Sequence, residues 1–178
     1  MSGFALFETS IGMCALAWGP HGLVGVQLPA DNGEPATRAR MRQRFPDLHE
    51  GLPDERAQRA IDAIQGLLRG VHDDLSDIEL DMSAVSEFHQ RIYAIARRIP
   101  PGQTRTYGEI AEELGDKGLS RAVGQAMGHN PFAPVVPCHR VLAAGNKPGG
   151  FSAGGGALTK LRMLDIEDAR PNGMASLF

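Results

Sequence analysis

The chain reads as an α+β protein: a small N-terminal α/β unit over residues 1–85, then a mostly helical domain over 86–178 with a helix-turn-helix and an active-site cysteine. Three observations predict this. Short extended runs separated by glycine turns fill residues 4–28. Apolar residues then recur at helical spacing over 54–68 and again from Phe88 onward. Finally, two short helical segments precede the run Val136-Pro137-Cys138-His139-Arg140-Val141, where a thiol and an imidazole stand side by side.

At 178 residues the chain can bury a core in one large or two small domains. Its 42% hydrophobic and 22% charged residues place it outside the disordered and fibrous classes. No apolar run reaches membrane-spanning length. The opening stretch MSGFALFETSIGMCALAWG carries Glu8 and no Lys or Arg before its apolar residues, unlike a secretory signal. Cys14 and Cys138 lie far apart with no CxxC pair, which argues against a disulfide scaffold or zinc finger and fits a reducing cytoplasm. The net charge of −3 speaks against a nucleic-acid binder, but it is unevenly divided. Residues 1–85 hold seven Arg against thirteen Asp and Glu, whereas 86–178 hold eleven Arg and Lys against eight acids. An excess of +3 in the second half hints at a polyanion facing it.

In order, Phe4-Ala5-Leu6-Phe7 predicts a strand ending in a Ser10-Ile11-Gly12 turn. Met13 to Trp18 is apolar almost throughout, a buried strand with Cys14 as a core residue. After the Gly19-Pro20-His21-Gly22 turn, Leu23 to Leu28 completes a hairpin or meander, with His21 as a turn residue. Ala36 to Phe45 carries Arg38, Arg40, Arg42 and Arg44, which spread around a helix and predict a solvated one. Asp54 to Leu68 is a helix capped by Asp54 and stopped by Gly70, with Ala57, Ile61, Ile64, Leu67 and Leu68 on one face. Asp77 to Met82 alternates with period two, predicting a half-buried edge strand. No chemistry is visible in this first half.

The second half opens with a helical stripe of Phe88, Ile92, Ile95 and Ala96, ending before Pro100-Pro101-Gly102. Tyr107 to Leu114 and Ser120 to Met127 are short helices joined by a glycine-bearing turn, equally a helix-turn-helix or a plain helical hairpin. Ser120, Ala122, Gly124 and Ala126 make the second helix smooth, and Arg121 is the long side chain near its start. Gly124 inside a helix costs about 1 kcal/mol relative to Ala, so close approach of a partner surface is expected there. Asn130 before Pro131 suits a tight turn. Gly149 to Gly156 has neither the ending of a phosphate loop nor the spacing of a dinucleotide fingerprint, and is expected to form a mobile wall of the Cys138 pocket. Ala157 to Ala169 is a final helix with Leu158, Leu161 and Leu164 inward. Glu167, an acid at a helix C-terminus, calls for a partner. The segment after Pro171 is expected to fray.

Free Cys is among the most buried residue types, so an isolated one reads as core. At Cys138 the neighbours point to chemistry. Val136 precedes a proline and is pushed towards extended geometry, and Pro137 stiffens the approach to the sulfur. In extended chain His139 cannot easily reach the preceding sulfur, so a bridging water is expected between them.

From Ile99-Pro100-Pro101-Gly102 through Thr106-Tyr107-Gly108-Glu109, Arg121-Ala122-Val123-Gly124, Gly128-His129-Asn130-Pro131 and Pro137-Cys138-His139-Arg140-Val141 to Lys160 and Glu167, the chain closely resembles the O6-alkylguanine-DNA alkyltransferase family. The N-terminal half matches only in general character. The resemblance implies Cys138 as alkyl acceptor, His139 as the base acting through a water, and Glu167 as the acid orienting it. Asn130 would tie the recognition helix to the active-site turn, and Tyr107 would rotate the target phosphate and protonate the guanine. Arg121 would fill the gap left by a flipped base, with Thr106, Ser120, Ala122 and Gly124 against the minor groove. Val141, Met127, Phe151 and Ser152 would line the substrate pocket. Many relatives have tyrosine where Phe151 stands, and the loop after it is longer and richer in glycine here. The zinc ligands of some relatives have no counterpart. The resemblance thus implies a cytoplasmic monomer without metal or cofactor. It would act on double-stranded DNA carrying O6-alkylguanine, with O4-alkylthymine as a further candidate, and one molecule would repair one lesion. Two competing readings are a sensor that binds alkylated bases without transfer, disfavoured by the presence of Cys138, and a Cys-His hydrolase, for which no oxyanion hole is visible.

Overall fold

The computed structural model describes residues 1–151 and 153–169. Strands β1 (Gly3–Thr9), β2 (Gly12–Gly19) and β3 (Gly22–Gln27) form the expected antiparallel meander in that order. Both faces of central β2 are covered, which is why its sequence is apolar with little alternation. Cys14, Leu16 and Trp18 face the main core, while Ala15 and Ala17 meet Phe4 and Met41 on the other side. Met41 belongs to α1 (Glu34–Arg44). The main-core side is closed by α2 (Glu55–Leu67), whose Asp54 cap accepts from the Ala57 amide at 2.9 Å.

The alternation over Asp77–Met82 does not produce a strand. Leu23 and Leu80 form a single bridge, Leu23 N donating to Glu79 O and Asp81 N to Leu23 O. Around it the aspartates compete for the backbone: Asp73 accepts from Leu75 N, Asp74 from Ser76 N and Asp81 from Ser83 N. These local turns stop the pairing after one residue.

The arginine helix is solvated only in part. Arg38 pairs with Glu34 and Glu50 at the surface. Arg44 instead turns inward, Nη1 donating to Val26 O at 2.9 Å and Nη2 to Pro131 O at 3.3 Å. Gly25 makes room for it and for the Phe45 ring, since a Cβ there would stand 2.5 Å from Phe45 Cζ and 2.7 Å from Arg44 Nη2.

In the second half, α3 (Glu87–Arg97) buries Tyr93, whose hydroxyl donates to Ala126 O at 2.7 Å. Ala126 lies on α5 (Ser120–Gly128), which packs beside α4 (Tyr107–Glu113). Thr106 and Glu109 form a capping box at the start of α4. A two-residue strand β4 (Arg105–Thr106) pairs parallel with β5 (Val141–Leu142), bringing Tyr107 beside the segment that leaves Cys138. Leu16 and Ile64 from the first half share one buried cluster with Ile92, Ile110, Val123 and Val136 from the second. No helix among the described residues is long and apolar enough to cross a membrane.

The last helix, α6 (Ala157–Ile166), is shorter than expected and rotated. Leu158 is 59% exposed and Leu161 is half-buried, while Leu164 is buried as expected. The inward stripe is Lys160, Met163, Leu164 and Glu167, because this face meets the turn carrying Cys138 and its polar members complete that site.

Candidate active site

Cys138, His139 and Arg140 form one 3-10 turn, not extended chain, with Arg140 N donating to Pro137 O at 2.9 Å. All three side chains are buried. Val135 and Val136 anchor the approach in the core. Asn130, in the turn just after α5, braces it: Nδ2 donates to Val136 O at 2.7 Å and Oδ1 accepts from Phe132 N at 2.9 Å.

Behind the turn lies a charge network that no solvent reaches. His139 Nε2 meets Glu167 Oε2 at 2.7 Å, and Arg140 grips the same carboxylate with Nε and Nη2, each at 2.8 Å. Its Nη1 donates to Ile99 O at 2.8 Å. Glu167 therefore has the partner its position demands. Burial opposes its charge, but His139 and Arg140 outweigh burial and hold the carboxyl down at about 2. An ionised carboxylate only accepts, which assigns the ring proton to Nε2 and leaves the Nδ1 lone pair free. Nδ1 is buried and has no hydrogen-bond partner within the protein. Burial also lowers the His139 pKa, against the pull of Glu167, so the ring is a neutral base at rest.

Burial pushes the Cys138 thiol up, against the Asn130 hydrogen bond, the Lys160 charge and the backbone, which lower it. The resting sulfur is a thiol. A buried thiolate is disfavoured until a base takes its proton. Cys14 is core as predicted, with burial pushing it up to about 12.

Lys160 was named in the sequence resemblance but given no role there. It is buried, with Nζ 5.8 Å from the ring centres of both Tyr107 and Phe151. Burial pushes its pKa down to about 8, while Cys138 raises it. Arg140 was legible only as a letter in the motif. A lysine and an arginine at buried helical and turn positions are the signal that was available. Tyr107 is half-buried, its pKa raised by burial and then by Cys138. A Cβ on Gly149 would lie 2.8 Å from its hydroxyl, so the glycine-rich loop walls this side of the site.

Val141 and Met127 are buried beside the turn. Ser152 and the segment after Pro171 lie outside the described residues. Arg121 is exposed on the first turn of α5, with Ser120 and Ala122 half-buried beside it. Ser120 Oγ donates to Lys117 O at 2.8 Å, and Thr106 is taken up in its cap. Gly124 faces Tyr107, with 3.4 Å from its Cβ position to the ring, so a close approach exists within the protein itself. A cavity of about 350 Å³ reaches Cys138 between β3, α1, the 128–133 turn, Phe151 and Ala153. The first half thus lines the cavity at Cys138, a placement its sequence did not show. Among the described residues no group of His, Cys, Asp and Glu is arranged to hold a metal ion.

Residues 87–169 match the family described as 6-O-methylguanine DNA methyltransferase, DNA binding domain. The methylated-DNA--protein-cysteine methyltransferase of Mycobacterium bovis is 38% identical over 158 residues, covering 87% of this chain and 93% of the relative. The chain belongs to this methyltransferase family. Its fold agrees: a crystal structure of Mycobacterium tuberculosis O6-methylguanine methyltransferase superposes with a TM-score of 0.74 at 32% identity, covering 94% of this chain and 93% of that one. The Mycobacterium tuberculosis OGT crystallised in complex with DNA gives 0.77 at 31% identity, covering 93% and 92%. The methyltransferase family match over 87–169 spans both Cys138 and the Glu167 that completes its network.

Proposed function

We propose that this chain repairs O6-alkylguanine in double-stranded DNA by one irreversible transfer of the alkyl group to Cys138. The observation that carries the reading is the buried thiol on one turn with a neutral His139, whose buried Nδ1 has no hydrogen-bond partner within the protein and whose Nε2 is fixed by Glu167. In this reading a water relays the thiol proton to Nδ1, and the imidazolium that forms is stabilised by Glu167. The thiolate attacks the alkyl carbon, the bond to O6 breaks, and its electron pair leaves with guanine. Tyr107, kept protonated by its raised pKa, supplies a proton to the departing ring. The thioether has no leaving group, so each molecule acts once.

The alkylated base must leave the stack to meet a buried sulfur, at a cost of a few kcal/mol. We place α4 and α5 as a helix-turn-helix in the minor groove, with the exposed Arg121 filling the gap and Thr106, Ser120 and Ala122 beside it. Val141, Met127 and Phe151 then flank the extruded base. Residues 1–85 form an N-terminal α+β domain that lines part of the cavity at Cys138, and 86–178 the DNA-binding and acceptor domain of a monomer.

Intact mass after incubation with a duplex bearing O6-methylguanine tests this. One methyl gain per molecule, on Cys138, is expected, with none for Cys138→Ala and a normal gain for Cys14→Ala. DNA binding without mass gain would indicate a sensor. Released product without mass gain would indicate a hydrolase. Either outcome sinks the transfer reading.

A further inference from the structure

The cavity that reaches Cys138 is walled on its far side by Val26, Gln27 and Leu28 and by Arg40 and Arg44 of α1. Its lining shares Phe151 with the place proposed for the guanine ring but includes none of Tyr107, Met127 and Val141, so it adjoins that place and extends from it towards β3 and α1. At about 350 Å³ it falls within the range of small-molecule sites, roughly 300–1,000 Å³, and far exceeds what a methyl group fills.

The charge in it is one-signed. The lining contains two guanidinium groups and no Asp or Glu. Arg44 is held by neutral acceptors, namely Val26 O, Gln27 Oε1 and Pro131 O, and stacks on Phe45 at 4.9 Å. Arg40 lies near enough that the two cations repel. Among the described residues neither is paired with a carboxylate, whereas Arg38 on the same helix has two. Gly25 leaves room for the Phe45 ring and for the Arg44 guanidinium stacked on it.

The geometry of the displacement says what can enter. Sulfur, carbon and O6 must lie in line, so any further substituent on that carbon points to the side of this axis and needs space beside the sulfur. We propose that this cavity receives the tail of the alkyl group and selects, through Arg40 and Arg44, tails that end in an anion such as a carboxylate. The proposal rests on the transfer reading above. In the reaction the Cys138 sulfur bonds to the carbon next to the carboxylate and the bond to O6 breaks. Guanine takes the electron pair and a proton, and the carboxylate remains unchanged on the thioether beside Arg40.

The test compares duplexes carrying O6-carboxymethylguanine with duplexes carrying its neutral amide analogue of the same shape, O6-carbamoylmethylguanine. Single-turnover rates of Cys138 alkylation are measured for both, with O6-methylguanine as the reference. The acid-to-amide rate ratio cancels intrinsic reactivity when variants are compared with the parent. Arg40→Ala should lower this ratio about tenfold, as for loss of one charge-assisted contact, and Arg40→Glu should lower it further. Since Arg40 is exposed, both variants should fold; Arg44→Lys, which keeps the charge, should hold the ratio closer to the parent than Arg40→Glu does. An unchanged ratio in both Arg40 variants overturns the proposal. Equal slowing of all three duplexes overturns it too, because Arg40 would then be serving a DNA phosphate. Failure of the parent protein to take methyl from O6-methylguanine is a different result and removes the transfer reading itself.

Discussion

Arg140 is the largest fully buried side chain, and its fork is what allows an ionised Glu167 to sit in the core. Arg140→Met should therefore cost about 3–5 kcal/mol in denaturant unfolding, as when one partner of a buried pair is removed. Glu167 lies at about 2 when folded and 4.5 when free, so its stabilisation is present above pH 4.5 and is lost as pH falls towards 2. Acid unfolding of Arg140→Met should accordingly begin at higher pH. Lys160 has the opposite sign. Its folded value near 8 lies below the free 10.5, so the cost of burying its charge is full below pH 8 and is relieved as pH rises to 10.5. Lys160→Met should be more stable than the parent at neutral pH, with the difference closing by pH 10.5. The same variant should slow alkyl transfer and move the pH profile of Cys138 alkylation by iodoacetamide upward, because Lys160 lowers the Cys138 thiol. A stability gain without a shifted profile would make Lys160 a packing residue only.

At the scale of elements, α4 and α5 position Tyr107 by two devices. The Thr106 capping box holds the first turn of α4, and Gly124 lets the ring lie against α5. Thr106→Ala should cost about 1 kcal/mol through the lost cap. Gly124→Ala should gain about 1 kcal/mol from helix propensity, since a Cβ at 3.4 Å from the ring is ordinary contact. Gly124→Leu, with no room beyond that Cβ, should displace Tyr107 and slow transfer from both DNA and free O6-benzylguanine. Arg121→Ala should slow only the DNA reaction, because a free base needs no flipping. Equal losses on both substrates for Arg121→Ala would mean that Arg121 shapes the pocket.

Across the whole molecule the two halves meet at the glycine-rich loop. Gly154 N donates to Pro29 O at 3.0 Å and Gly155 N to Asp31 Oδ1 at 2.9 Å, so the loop is docked onto the segment after β3. A Cβ on Gly154 would stand 2.7 Å from Pro29 O, backbone that cannot swing aside. Gly154→Ala should cost about 1–3 kcal/mol and slow transfer by loosening the wall that carries Phe151. The DNA affinity of the whole chain should depend only moderately on salt. An excess of three cations in residues 86–178 implies a slope of log K against log salt near −3, at about −0.9 per phosphate neutralised. A slope near −10 would mean a far larger basic surface than the charges suggest.

The sequence alone determined what depends on local chemistry. The meander was legible because its turns carry Gly12, Gly19 and Gly22, and α2 because Asp54 caps a regular stripe. Cys138, His139 and Glu167 were legible because a motif states residue types and spacing. Tertiary structure alone decided which charges go inside. Period-two alternation at 77–82 looked like a strand, but aspartates at 73, 74 and 81 take the flanking amides of Leu75, Ser76 and Ser83 into local turns. Leu158 matched the helical period and is exposed, while Lys160 is buried, because the face of α6 is chosen by the site it completes. Arg44 looked like its solvated neighbours until Gly25 and the carbonyls of Val26 and Pro131 gave it an interior place. Burying a charge is favourable only when partners from distant parts of the chain surround it, and those partners are brought together by folding.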